Sequence, residues 1–154
     1  MAEHVGEPAW KCLVRRLSDA SPDFVRAWQQ HDVSVPVSAV ATLLARGMQA
    51  ARAIAPQARV CAYGHVGDGN LHFNFQAPPG QSLEAFVAAH GAAISSALYG
   101  EVVQLGGSVC AEHGVGQLKR ELLERYSDPV GVAIMRTLKS ALDPDDLMNP
   151  GKVL

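Results

Sequence analysis

The sequence predicts an α+β fold, a ferredoxin-like antiparallel sheet with helices packed on one face. Three observations predict it. From residue 32, segments of alternating and helical periodicity follow one another as β-α-β-β-α-β, with two more helices behind. The 154 residues, 48% of them hydrophobic, suffice for one domain with a real core. Only 18% are charged, so part of the surface is expected to lie against something else.

Pro22 opens a short helix in "SPDFVRAWQQ". "DVSVPVS" (32–38) sets Val33, Val35 and Val37 against polar neighbours, a strand edged by Pro36. Val40, Leu43, Leu44, Ala51 and Ile54 then form a helical stripe that stops before Pro56. "ARVCAYGHV" and "NLHFNFQA" are two strands separated by "GDG". After Pro78-Pro79-Gly80, the residues Leu83, Phe86, Val87, His90, Ile94, Ala97 and Leu98 share one helical face, and Gly106-Gly107 ends it. "SVCAEHGVG" reads as a fourth strand running into a glycine turn. "QLKRELLERYS" and "PVGVAIMRTLKSALD" are the remaining helices, and "DDLMNPGKVL" is a tail.

Composition narrows the function classes. A formal net charge of −2 with no basic run argues against a nucleic-acid partner held through phosphates. No apolar run approaches the roughly 18 residues of a membrane span. The N-terminus lacks a basic-then-apolar signal pattern. Three scattered cysteines, Cys12, Cys61 and Cys110, fit a reduced, cytoplasmic protein, and none has the CxxC spacing of a zinc knuckle.

The stretch "GHVGDGNLH" (64–72) carries the chemistry. Asp-Gly between strands predicts a two-residue type I′ turn at Asp68-Gly69. His65 then faces His72, with Cβ atoms about 4.5–5.5 Å apart, close enough for two imidazoles to share one metal ion. Alternation puts Asn74 on the same face and Tyr63 opposite it, while Leu71, Phe73 and Phe75 face the helices. The plainer alternative is paired surface histidines on a tight hairpin. "CAEHGVG" offers Glu112 as a third ligand, which leaves open positions on a divalent cation, zinc, manganese or iron, for substrate oxygens. His113 points the other way along a strand, but a turn at Gly114 and Gly116 would aim it at a substrate as general base. "HGVGQLKR", with Lys119 and Arg120, is a weaker candidate for a phosphate nest, since it has neither a GxxxxGK[ST] nor a GxGxxG pattern.

Together "GHVGDGNLHFN", "AEHGVGQLKR" and the terminal "MNPGKVL", with "HDVSVPVS", resemble the C-terminal cap domain of FAD-linked oxidases of the vanillyl-alcohol-oxidase type. The branch most similar is that of D-lactate and D-2-hydroxyglutarate dehydrogenases, and the resemblance covers about residues 30 to 154. It implies a substrate domain at 31–154 preceded by a partial lead-in at 1–30. It further implies that His65, His72 and Glu112 hold a divalent metal such as Zn or Mn. Asn74 then matches a substrate-binding position, and His113 the base that takes the hydroxyl proton as hydride passes to flavin. Asn149 matches a position close to FAD.

Family members carry an FAD-binding domain N-terminal to this region, so the 154 residues are expected to be a fragment whose partners are that domain and a 2-hydroxy acid, with a homodimer possible. Gln30 stands where relatives often have a lysine, and Arg15 or Arg16 aligns only loosely with an upstream arginine. A second substrate carboxylate, as in 2-hydroxyglutarate, therefore lacks its expected lysine. The competing function is a stand-alone metal- or ligand-binding module of ferredoxin-like shape without redox activity, and behind it a pure interaction module.

Overall fold

The computed structural model describes residues 29–154. Most of the helix expected from Pro22, together with Arg15 and Arg16, lies outside them, and its last two residues, Gln29 and Gln30, belong to a strand instead.

That strand, β1, spans Gln29–Ser34. It starts three residues before the expected position and stops before Pro36, which opens a 3₁₀ turn over Val37–Ala39. Val37 is therefore exposed rather than part of a strand alternation. Helix α1, Val40–Ile54, follows, and buries Val40, Leu43 and Ala51. Strands β2, Arg59–Tyr63, and β3, Asn70–Gln76, complete a three-stranded antiparallel sheet of order β1-β3-β2. Central β3 pairs with both neighbours, setting His72 opposite Asp32 on one side and opposite Tyr63 on the other.

Helix α2 runs from Leu83 to Gln104. It starts where the Ser82 side chain accepts the Ala85 amide, contains a π turn at Val87–Gly91, and buries Phe86, Ile94, Leu98 and Val102. By length and composition it is long and apolar enough to cross a membrane. Its apolarity has a local reason, because that face forms the core with Val33, Leu43, Leu71, Phe73 and Phe75. Gly47 of α1 is part of the same packing. A Cβ there would come within 3.0 Å of both Leu98 Cδ1 and Phe73 Cζ, so the small residue lets α1 close onto the sheet. Each of the large side chains contributes about 1.5–3 kcal/mol on leaving water.

The fourth strand expected at "SVCAEHGVG" is reduced to a single antiparallel bridge, Ser34 to Ser108, along the free edge of β1. The position is the one a fourth strand of a split βαβ sheet would take. Two interactions stop the ladder from spreading. The Ser108 hydroxyl bonds the main chain of Cys110 at both N–H and C=O, a local turn that competes with a strand. Beyond it, the amides of Glu112 and His113 turn to a side chain of β1 rather than to its backbone.

Helices α3, Arg120–Tyr126, and α4, Pro129–Leu142, occur as expected. Asp128 caps α4 by accepting the Val130 and Gly131 amides. In the tail, Asp143 accepts the amides of Leu147 and Met148 and pairs with Lys139. The Val153 amide then bonds the Gly116 carbonyl at 2.8 Å, which closes the tail onto the glycine turn behind His113.

Candidate functional site

Side chains of the sheet alternate between two environments. Val33, Leu71, Phe73 and Phe75 meet the helices. Asp32, His72, Asn74 and Gln76 stand on the opposite face, where β1–β3 pairing places Asp32 directly beside His72.

The link from β2 to β3 is longer than a two-residue hairpin. Strand β2 stops at Tyr63, and Gly64 to Gly69 form the connection, with a 3₁₀ turn over Val66–Asp68. The His65 carbonyl accepts the amides of Asp68 and Asn70 and so closes the loop. Gly69 has φ +73°, and a Cβ there would lie 1.9 Å from the Val35 carbonyl oxygen, a position open only to glycine. Asp68-Gly69 is thus a turn, but inside a six-residue loop. The partner of His72 is Tyr63, with rings 5.3 Å apart, and Asn74 faces Cys61 instead of Tyr63. The register differs by two residues from the expected one. A slip of two keeps every side chain on its face, so the polar face is as expected while the pairs are not.

His65 and His72 accordingly do not face each other across a hairpin; they meet at Glu112. His65 Nδ1 lies 3.1 Å from Glu112 Oε1, and His72 Nε2 lies 3.7 Å from Oε2. Asn70 Nδ2 donates to the same carboxylate. His113, from the turning chain, stacks on His72 with ring centroids 5.7 Å apart and 26° between planes. It is half exposed, as the expected bend at Gly114 and Gly116 requires, both of which have positive φ.

Asp32 is the residue that sequence reasoning missed. It is 2% exposed, and its Oδ2 accepts the amides of Glu112 at 2.7 Å and His113 at 2.8 Å. Its Oδ1 lies 3.7 Å from His72 Nδ1, and Oδ2 lies 3.5 Å from His113 Nδ1. Burial works to raise its pKa. The amides of His113 and Glu112, then the His113 and His72 imidazoles, outweigh that and hold the carboxyl below its ordinary value. The available signal was the acid of "HDVS" standing one face away from Val33, on the strand that a split βαβ order pairs with β3.

Asp32, His72 and Glu112 each offer one donor atom, all within 4.8 Å of one another. Asp32 Oδ1 is buried without a hydrogen-bond partner among the described residues. The Glu112 carboxylate with the imidazole nitrogens of His72 and His65 makes a donor set that fits a borderline divalent cation. Asn74, two residues along, is buried, and its Oδ1 is also unpartnered. The expected open polar row is therefore partly covered. Asn149 is not among the side chains gathered here; it lies in the exposed tail at φ +52°. In the alternative phosphate nest, Lys119 points to Cys110 Sγ and Arg120 to the Gly151 carbonyl, so neither cation is presented by the turn.

The family described as "FAD linked oxidases, C-terminal domain" matches residues 19–153. The chain belongs to this family. A D-2-hydroxyglutarate dehydrogenase of Stutzerimonas stutzeri (strain A1501) is 34% identical over 124 residues, covering 80% of this chain and 26% of that protein. The mitochondrial D-2-hydroxyglutarate dehydrogenase of Rattus norvegicus is 37% identical over 126 residues, with 81% and 22% covered. The glycolate oxidase subunit GlcD of Bacillus subtilis (strain 168) is 33% identical over 126 residues, with 79% and 25% covered. The chain spans about a quarter of the length of the curated relatives it matches.

Proposed function

We propose that this chain is the substrate-binding C-terminal domain of an FAD-dependent D-2-hydroxy-acid dehydrogenase of the D-lactate or D-2-hydroxyglutarate type. One observation carries the proposal: His65 and His72 meet at Glu112, and His72 and His113 meet at Asp32, on the sheet face opposite the helices. The family match and the relatives support the reaction class, since hydroxyglutarate and glycolate are both 2-hydroxy acids.

His72 and Glu112, with His65, are the residues that would hold a divalent ion, which supplies Lewis-acid polarisation of the substrate's hydroxyl and carboxylate oxygens. His113 takes the hydroxyl proton. Its Nδ1 faces Asp32 Oδ2 at 3.5 Å, so the imidazolium formed on proton transfer has a negative neighbour, and Nε2 is left for the substrate. Asn74 binds the substrate from the same face, its Oδ1, unpartnered among the described residues, accepting from a substrate donor. FAD, bound mainly by parts of the polypeptide outside these 154 residues and approached by Asn149, supplies the hydride acceptor. The setting is reduced and cytoplasmic, and homodimer formation is read by light scattering.

The test grafts this chain in place of the matching quarter of the Stutzerimonas enzyme, then adds D-lactate, D-2-hydroxyglutarate and glycolate anaerobically. Flavin bleaching by at least one acid is expected. A flavin-loaded chimera that no D-2-hydroxy acid bleaches returns the stand-alone binding module. Purified chain is expected to hold about one divalent ion, lost in His72→Ala; equal metal content in the variant removes the metal assignment.

A further inference from the structure

Resting on that assignment of the metal, we propose that Asp32 is a positioning residue rather than a ligand: it fixes the His72 tautomer and clamps the Glu112–His113 segment to the sheet, so that one carboxylate assembles both halves of the site.

The geometry divides the two nitrogens of His72 between two acids. Nε2 looks toward Glu112 Oε2 and Nδ1 toward Asp32 Oδ1, each at 3.7 Å. A carboxylate opposite Nδ1 favours a proton on that nitrogen and leaves the Nε2 lone pair on the Glu112 side. That is the carboxylate–histidine–metal arrangement that outer partners of metal-ligating histidines commonly adopt. The other oxygen of Asp32 is already engaged. Oδ2 accepts two consecutive main-chain amides, those of Glu112 and His113, and stands against His113 Nδ1. An oxygen with two short amide bonds is a poor candidate for a further strong ligand interaction, and Oδ1 is turned to the imidazole.

The clamp also accounts for the local fold. Ladder pairing along β1 fades after the Ser34–Ser108 bridge, with one more main-chain bond from the Ala111 amide to the Asp32 carbonyl at 3.3 Å. From there the chain leaves the sheet edge, and the Asp32 side chain takes the next two amides. Glu112 is thereby held where Asn70, His65 and His72 all reach it. With Asp32 2% exposed, water does not compete for these bonds.

The experiment uses the 154-residue chain and Zn²⁺ as the probe. Long-range ¹H–¹⁵N correlation spectra of the metal-free native chain are expected to show His72 protonated at Nδ1, and Zn²⁺ is expected to shift Nε2. A native His72 protonated at Nε2 overturns the proposal, and this holds even if D32N fails to fold. In folded D32N, the side-chain NH₂ donates to His72 Nδ1 and drives the ring to the Nε2–H form. Zn²⁺ affinity by titration calorimetry is then expected to fall about 10–100-fold while binding persists. Binding abolished in D32N to the same extent as in His72→Ala makes Asp32 a ligand and overturns the proposal. Unchanged affinity and tautomer in D32N overturn it as well. A native chain that takes up no Zn²⁺ defeats the metal assignment itself, and the tautomer then decides the role of Asp32 alone.

Discussion

Phe73 and Asn74 are consecutive residues of the same strand, 0% and 4% exposed, yet they belong to two different proteins in physical terms. Phe73 faces α1 and α2, packed with Phe75, Leu98 and Gly47. Asn74 faces the other way, on the side of Asp32 and His72, with its amide oxygen unpartnered among the described residues. On the first face every contact adds stability. On the second, polar groups are withdrawn from water without full compensation, which costs stability and keeps hydrogen-bonding capacity in reserve for a ligand. The comparison separates the residues that make the sheet from those the sheet is made to carry.

The contrast is broken most forcefully at Phe73. Phe73→Ala removes a ring from the centre of the core and is expected to cost about 3–5 kcal/mol, read as a loss of the denaturation midpoint.

A subtler break lies at His31, an imidazole on the helix face. It is 2% exposed, bonded through Nδ1 to the Phe73 carbonyl and through Nε2 to the Ser95 hydroxyl. Burial lowers its pKa to about 4, partly offset by the Phe73 carbonyl. The unfolded chain takes up this proton near pH 6.5 and the folded chain only near 4, so between those values the unfolded state binds more protons. Stability is therefore whole above pH 6.5 and falls as the pH drops toward 4, by about 3 kcal/mol. Denaturant melts at pH 7 and pH 4.5 check it, and His31→Gln is expected to flatten the difference between them.

The smallest expected effect sharpens the comparison from the other side. Asn74→Leu removes a buried amide whose oxygen has no partner among the described residues, so the melting midpoint of the metal-free chain is expected to stay within about 1 kcal/mol of native or to rise. Turnover of the chimera is expected to fall. A loss of stability comparable to Phe73→Ala would erase the distinction between the faces.

The helix face was legible in the sequence because Val33, Leu71, Phe73 and Phe75 repeat with period two, and hydrophobic alternation has no competing explanation in a strand. The polar face was legible by the same arithmetic, since a register slip of two residues leaves sidedness intact. The pairs were not legible. Asp68-Gly69 announces a turn but not that Gly64 and the His65 carbonyl extend it to six residues. The fourth strand failed for a related reason. Its residues alternate acceptably, and only the Ser108 hydroxyl and the Asp32 carboxylate, both acting through side-chain to main-chain bonds, decide that it leaves the sheet. Asp32 was hidden because its importance depends on a partner eighty residues away in the chain. His31 was hidden because a histidine reads as polar until its two bonding partners are known.

The hydrogen bonds by which the Asp32 carboxylate holds its neighbouring segment come from main-chain amides, and amide hydrogens are common to nineteen of the twenty amino acids. The two main-chain bonds at positions 112 and 113 therefore do not depend on which side chains stand there. A designer can exchange the glutamate and the histidine for other donors while the scaffold continues to deliver them to the same address. That makes this edge of the sheet an interchangeable socket, in which preference for one ion over another is open to alteration without rebuilding the domain.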